Sequence, residues 1–324
     1  MKKRIFRFLI GIAYLFSCLT GCAAVHDAAP ERSPYLNITE SYFTDETMED
    51  MESICIVYDI GEKKLHAKGA ALSGGEAFPI VSYSSANYSI FFSAAREEGD
   101  QLYRYRSGEE ERLTDEFAAL TYIFQCGNQL FLSAQFLGNN LLEPVLFDWE
   151  DNTIKRVYPD AMDDRFVRTA TCDPAAKKVY FSYSSDAERR KASDDENGDV
   201  WHAPSTICSL DVQSGKVKTV YQTKDYIWGM AVSGNMLYYC GAAGPFSERT
   251  CYAVDLETEE KTELPLSVSI RGDMAVWDNV LYMVGLKDGI RGVYAMDLSD
   301  LHMDLIYKSQ PDGQSIINGM SLNY

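Results

Sequence analysis

Histidine is nearly missing from this 324-residue chain. The four present, His26, His66, His202 and His302, are far apart, and no two stand at metal-ligand spacing. No Cys-x-x-Cys occurs, so neither a zinc or haem site nor any other cofactor is expected. No Gly-x-Ser-x-Gly occurs either, and too few histidines remain to assemble a Ser-His-Asp triad. Positive charge is short as well. There are 30 Lys and Arg against 48 Asp and Glu, a net charge of -18, which makes the chain a poor partner for nucleic acid or anionic headgroups. No uncharged apolar run approaches the ~20 residues that a membrane-spanning helix needs. Beyond the first few dozen residues no long 3.6-residue apolar period appears, so a helical fold is not expected.

The apolar run that does occur, Phe8 to Leu19, follows the basic start Lys2, Lys3, Arg4 and Arg7. A charged start and a short apolar stretch make a secretory signal, helical in form, rather than a membrane span. It ends in Leu19-Thr20-Gly21-Cys22, which resembles the lipobox of bacterial lipoproteins. That resemblance implies cleavage after residue 21 and diacylglyceryl attachment at Cys22, with further acylation (palmitate-type chains) of the freed amine. Two or three acyl chains anchor stably where one is marginal. The reading places 1–21 as signal peptide and 22–35 as a small, polar, Pro-containing tether. It makes the bilayer a partner through Cys22, on the extracytoplasmic face of the cell membrane, or on the outer membrane in a diderm cell.

From residue 36 to 324 the chain is written in short alternating runs rich in Tyr, Phe, Val and Ile, broken by Gly, Asn, Asp and Ser, the pattern of strands and turns. One unit recurs six times as strand, polar turn, strand. It begins at Ile54, Leu102, Val145, Ile207, Cys251 and Val293 and aligns Asp59, Arg106, Asp148, Asp211, Asp255 and Asp297, with gaps of 47, 42, 63, 44 and 42 residues. A second hairpin lies between these units, as in Thr121-Tyr-Ile-Phe-Gln-Cys-Gly-Asn-Gln-Leu-Phe-Leu-Ser. Four strands every ~40–45 residues predict an all-β chain folded as a six-bladed β-propeller. The tail from Asn318 matches Trp228-Gly-Met-Ala-Val and reads as the innermost strand of the first blade, whose second strand is Leu36–Phe43. That arrangement closes the ring and leaves no open sheet edge.

Inner strands such as Met236-Leu-Tyr-Tyr, followed by outer strands such as Tyr252-Ala-Val-Asp-Leu and Tyr294-Ala-Met-Asp-Leu, resemble TolB-like propellers. They are closer still to the propellers of bacterial envelope lipoproteins. The Ser-Pro-Asp-Gly turn of that family is degenerate here, with Cys172-Asp-Pro-Ala-Ala-Lys-Lys its nearest copy. The resemblance implies a rigid disc that binds proteins or small ligands, and it supplies no catalytic residues.

The starts of the innermost strands bring Tyr122, Arg168, Trp228, Arg271, Asp273 and Asn318 towards one channel mouth. Aromatics with arginines suit an anionic or sugar-like ligand. Equally, Arg168 or Arg271 pairs with Asp273 and holds neighbouring blades in register. The longest strand 2–3 loop, Ser185 to Pro204, carries Arg189, Arg190, Lys191, an acidic run, Trp201 and His202. It reads as a contact lip or as a mobile insertion. Its acidic run resembles a calcium loop but lacks the alternate-residue pattern, and no metal is expected there. Cys240 and Cys251 close one hairpin and stand opposite each other, as a disulfide or as two buried thiols. The expected function is a membrane-anchored, extracytoplasmic, non-catalytic binding propeller whose partner is an envelope protein or small ligand. The alternative is an envelope glycan hydrolase or lyase with carboxylates at the mouth; a third expectation is a scaffold that recruits partners through acidic charge.

Overall fold

The computed structural model describes residues 34–43, 51–67, 72–74, 80–85, 87–96, 98–158, 164–173, 177–194, 203–244, 246–309 and 315–323. The proposed signal, Cys22 and most of the tether lie outside these residues, as do Trp201 and His202. The described residues of the unit Pro34–Tyr324 are mostly strand, with one short helix.

Each recurring segment forms one antiparallel four-stranded sheet in chain order. The second blade is β5 (Val81–Ser84), β6 (Ser89–Ala95), β7 (Asp100–Arg106) and β8 (Glu109–Arg112). The third is β9 (Phe117–Cys126), β10 (Gln129–Phe136), β11 (Leu142–Asp148) and β12 (Thr153–Arg156). The fourth is β13 (Arg165–Asp173), β14 (Lys178–Ser185), β15 (Ser205–Asp211) and β16 (Lys216–Thr223). The fifth is β17 (Tyr226–Ser233), β18 (Met236–Ala242), β19 (Thr250–Asp255) and β20 (Lys261–Leu264). The sixth is β21 (Ser269–Trp277), β22 (Val280–Lys287), β23 (Ile290–Asp297) and β24 (Met303–Lys308).

The first blade is assembled from both ends of the unit. β1 (Tyr35–Phe43) lies between β2 (Met51–Asp59) and the C-terminal β25 (Ser315–Asn323), with β3 (Lys64–Ala67) outermost. Ile38 faces Met320, and Leu36 faces Leu322. This is the expected closure. The sequence reading did not foresee the short β4 (Leu72–Gly74), which extends the blade by pairing with Met51–Ser53. The innermost strands follow one another around the ring, ending with β21 beside β25. The result is a six-bladed propeller.

The anchor residues at the ends of the third strands have a local cause. In Asp59, Asp148, Asp211, Asp255 and Asp297 a carboxylate oxygen accepts backbone amides two or three residues on, at 2.7–3.3 Å. Each turn then places the fourth residue after the anchor at positive φ: Lys63, Asn152, Gly215, Glu259 and Leu301. These are Asx-capped turns. Arg106 breaks the pattern because its turn is of a different kind. Ser107 and Gly108 both have positive φ, so a two-residue type I′ hairpin joins β7 to β8 without a capping carboxylate.

Burial follows the layering. Inner and middle strands such as β5, β6, β10 and β11 are buried on both faces, whereas β3 and β8 are exposed throughout. Blades stack face to face, so the core is a series of wedges between neighbours, such as Phe91, Phe117 and Phe147 between the second and third blades. One further cluster joins the first, third, fourth and sixth blades through Leu36, Phe124, Phe181, Ala275 and Met320. It fills the ring around its axis. Across the same region the Cys172 thiol lies 2.8 Å from the Leu322 carbonyl, and the Thr171 hydroxyl 3.4 Å from that of Met274. The expected channel is therefore closed below its mouth by packed inner strands.

A second repeat, invisible as a residue type, ties blade to blade. Six positions before the anchor, side chains reach the backbone at the start of the next blade. Asp100 accepts from the Leu120 amide at 3.0 Å, and the Ser205 hydroxyl donates to the Asp225 carbonyl at 2.8 Å. Arg249 donates to the Ile270 carbonyl at 2.6 Å and Arg291 to that of Ser315 at 2.7 Å. Each such bond contributes ~1 kcal/mol net. At the closing seam the buried Glu40 carboxylate also accepts the hydroxyls of Tyr307 and Ser309 from the sixth-blade side.

Two outcomes are expected. A chain ending at Gln314 lacks β25, leaves β1 as an open edge and should form aggregates or melt broadly by calorimetry; a sharp wild-type transition would contradict the closure. The turn carboxylates Asp211, Asp255 and Asp297 are held below their ordinary range, chiefly by the amide and hydroxyl donors of Ser214, Thr258, Glu257 and Ser299. A depressed folded-state pKa contributes stability above the unfolded value of ~3.9 that disappears as pH falls through the folded value. Melting temperature should therefore fall in that acid range, and less so when all three are changed to Asn, which keeps the turn but does not titrate.

Candidate functional site

Antiparallel pairing puts the starts of the first strands and the strand 2–3 connections of all blades on one face. Just inside that face five of the six innermost strands are bulged. Thr121 is the extra residue in β9, Arg168 in β13, Trp228 in β17 and Asn318 in β25. In β21 the three residues Arg271–Asp273 stand against Val284 alone. A bulge leaves one residue unpaired and re-aims its side chain. Five of the six mouth residues expected from the sequence are such extra residues, and Tyr122 directly follows the bulge residue Thr121. The aligned hairpins made these positions legible; the bulges that turn them inward left no residue-type signal.

The structure sorts the expected residues into two groups. Tyr122, Arg168, Asp273 and Asn318 line a cavity of about 400 Å³ at the axis, with Ile80, Phe166 and Ile316 as apolar walls. Asp273 reaches across the ring. Its Oδ2 accepts the Met320 amide at 2.9 Å, and its Oδ1 lies 3.2 Å from the Tyr122 hydroxyl, itself 3.3 Å from Thr169 Oγ1. Neither Arg168 nor Arg271 pairs with Asp273, so the bracing role considered for those arginines is filled by a tyrosine and a backbone amide. Burial pushes the Asp273 carboxyl up to about 6 against the lowering pull of its two donors. Desolvation, with the Asp273 charge beside it, likewise holds the Tyr122 hydroxyl well above its usual value. Asn318 accepts from the Ser41 hydroxyl at 2.9 Å.

Trp228 and Arg271 do not line this cavity. Trp228 lies against two arginines, with the Arg249 guanidinium 3.6 Å from its ring centroid and that of Arg168 5.7 Å away. Arg168 also lies 3.9 Å over the Tyr226 ring. The indole Nε1 is buried with no hydrogen-bond partner among the described residues. Arg249, missed in the sequence, is thus central to the rim; its place six residues before an anchor was the available signal. Close approach of the fifth and sixth blades sets this geometry. A Cβ on Gly229 would stand 2.5 Å from the Gly272 carbonyl oxygen, so no larger residue fits there without a shift.

Three strand 2–3 connections carry exposed apolar tips on the same face: Leu137, Phe246 and Ile290. The long fourth-blade connection opens not as a loop but as helix α1 (Asp186–Asp194). The Ser185 hydroxyl accepts the Glu188 amide at 3.2 Å, an N-cap whose Ser-x-x-Glu signature stood in the sequence unread. Salt bridges from Arg190 to Asp186 (2.7 Å) and Lys191 to Glu188 (2.6 Å) lace the helix. Cys240 and Cys251 are cross-strand partners, as expected, and both are buried free thiols held up to about 12 by desolvation. Among the described residues no group of His, Cys, Asp and Glu could hold a metal ion.

Glycoside hydrolysis uses a pair of carboxyl groups about 5–10 Å apart. Among the described residues lining the axial cavity Asp273 is the single carboxylate, set in an aromatic and guanidinium rim.

The Asp273 geometry gives a titration signature. A carboxylate whose folded pKa is raised favours the folded state below the unfolded value of ~3.9, and that contribution is lost as pH rises through about 6. Carboxyl NMR should show Asp273 titrating near pH 6, and still higher in a Tyr122→Phe variant, which removes one stabilising donor. A midpoint near 4 in wild type would contradict the burial.

No protein-family model and no curated protein matches the sequence. Solved structures do. A chain from the crystal structure of a nidogen/laminin complex superposes with a TM-score of 0.57 at 11% identity, over 89% of this chain and 98% of that one. TolB from Acinetobacter baumannii superposes with a TM-score of 0.58 at 14% identity, over 90% of this chain and 66% of TolB. At such identities the likeness shows the fold alone: this chain is a six-bladed β-propeller, similar in fold to TolB.

Proposed function

We propose that the protein is a lipid-anchored, extracytoplasmic binding propeller that holds an envelope protein or small ligand on its mouth face and performs no chemistry of its own. The mouth itself carries the reading. Its cavity is walled by apolar and aromatic groups with Arg168 among them, and the one carboxylate among its described lining residues, Asp273, is engaged by a backbone amide and a tyrosine. The exposed tips Leu137, Phe246 and Ile290, on connections of the same face, offer the apolar contacts that a protein partner buries. Anchoring rests on the Leu-Thr-Gly-Cys22 motif and its basic, apolar approach. The chain enters the propeller on the opposite face, where the Pro34 carbonyl accepts the Ile60 amide beside the Asp59 turn. The mouth is therefore unobstructed by the entering strand.

Two measurements test the reading. A Cys22→Ser variant should leave the membrane fraction for the soluble one and lose metabolic labelling by palmitate. From gently solubilised envelope, wild-type bait should capture a partner that a Leu137→Ala, Phe246→Ala, Ile290→Ala bait captures at least tenfold less. Equal recovery by both baits removes the mouth face as the docking surface.

A further inference from the structure

Outside the axial cavity, a larger cleft of about 600 Å³ opens on the mouth face between the fifth and sixth blades. Arg249 and Arg271 stand in it together. Among the described residues neither has a carboxylate partner, although the chain carries 48 acids against 30 basic residues. Several other cations do face an acid: Arg156 with Glu143, Arg96 with Glu110, Arg190 with Asp186 and Lys261 with Asp225. The cleft's one carboxylate, Glu248, forms no ion pair with either arginine. Burial, and then the neighbouring Arg271 charge, lower the Arg249 pKa, as unneutralised guanidinia side by side must.

Arg249 is also held in place. Its guanidinium stacks on Trp228 at 3.6 Å, and one nitrogen donates to the Ile270 carbonyl at 2.6 Å. A planar fork fixed in this way has less freedom to lose on binding. Arg271 is exposed and adds a second set of donors. Ser267 and Ser269 contribute to the wall, and Phe246, 78% exposed, stands at the edge. Two unpaired guanidinia call for an anion, and an uncovered phenyl ring beside them calls for an apolar or flat body. The volume falls within the ~300–1,000 Å³ of small-molecule sites.

We propose that this cleft binds a small organic anion, with Arg249 and Arg271 sharing its carboxylate or phosphate group and Phe246 covering its flat or apolar body. The site is separate from the axial cavity; it shares Phe246 with the docking face above, and the Arg271→Ala variant, outside that docking set, tells the two apart.

Calorimetric titration of the propeller at low salt tests this with phenyl phosphate and benzoate, against inorganic phosphate and benzyl alcohol as half-ligands. Phenyl phosphate or benzoate should bind at one site, with inorganic phosphate weaker and benzyl alcohol silent. Arg271→Ala, at an exposed position that the fold does not use, should weaken binding at least tenfold, and Phe246→Ala several-fold. Tyr122→Phe, in the axial cavity, should leave it unchanged. Failure of both aromatic anions to bind folded wild type overturns the proposal, as does undiminished binding by Arg271→Ala. Inorganic phosphate binding as tightly as phenyl phosphate overturns the role given to Phe246. Loss of binding in Tyr122→Phe instead would place the ligand in the axial cavity.

Discussion

The pairing of the last strand with the first constrains everything else in this propeller. β25 supplies the inner edge of the first blade, and its bulge brings Asn318 to the mouth. Its Met320 amide fixes Asp273, which in turn sits beside Tyr122 on the far side of the ring. Without β25 the first blade has an open edge, the sixth has no inner neighbour, and the axial cavity loses two of its walls, Ile316 and Asn318. Buried Glu40 strengthens the same seam by joining β1 to hydroxyls of the sixth-blade side.

The mouth is a product of irregularity imposed on a regular ring. Six similar sheets, stacked through apolar wedges, would give a smooth axial wall. Extra residues in five inner strands turn side chains towards the axis or the blade junctions instead. The short inner strand β5 shows no such insertion among the described residues, and its side of the cavity is apolar, through Ile80. Polar character is thereby concentrated where the fourth, fifth and sixth blades meet. Trp228 and the arginines around it occupy that sector.

Much of this was legible in the residues. The six anchors were readable because an Asx turn needs an aspartate at a fixed place, and five of the six supply it. The closure was readable because Asn318-Gly-Met repeats Trp228-Gly-Met, an inner-strand signature. The blade-to-blade bonds were not, because Asp100, Ser205, Arg249 and Arg291 share a position and a geometry but no chemistry. The filled axis was also hidden, since repeat spacing reports blade number and says nothing of how far inner side chains reach across. Helix α1 went unread although Ser185 and Glu188 stood at capping-box spacing, because an interval of charged residues between two strands resembles a loop.

The seam between the two ends of the unit has a consequence for how the molecule is made. β1 precedes the other five blades in the chain and β25 follows them, so the first blade has no inner strand until all five have been made. Five blades can be assembled and stacked while the sixth gap stays open, with Ile38 and Leu36 still lacking their facing residues. Closing the ring therefore waits on the nine residues of β25. A chain cut short by even that much is not a smaller version of the protein but an unfinished one.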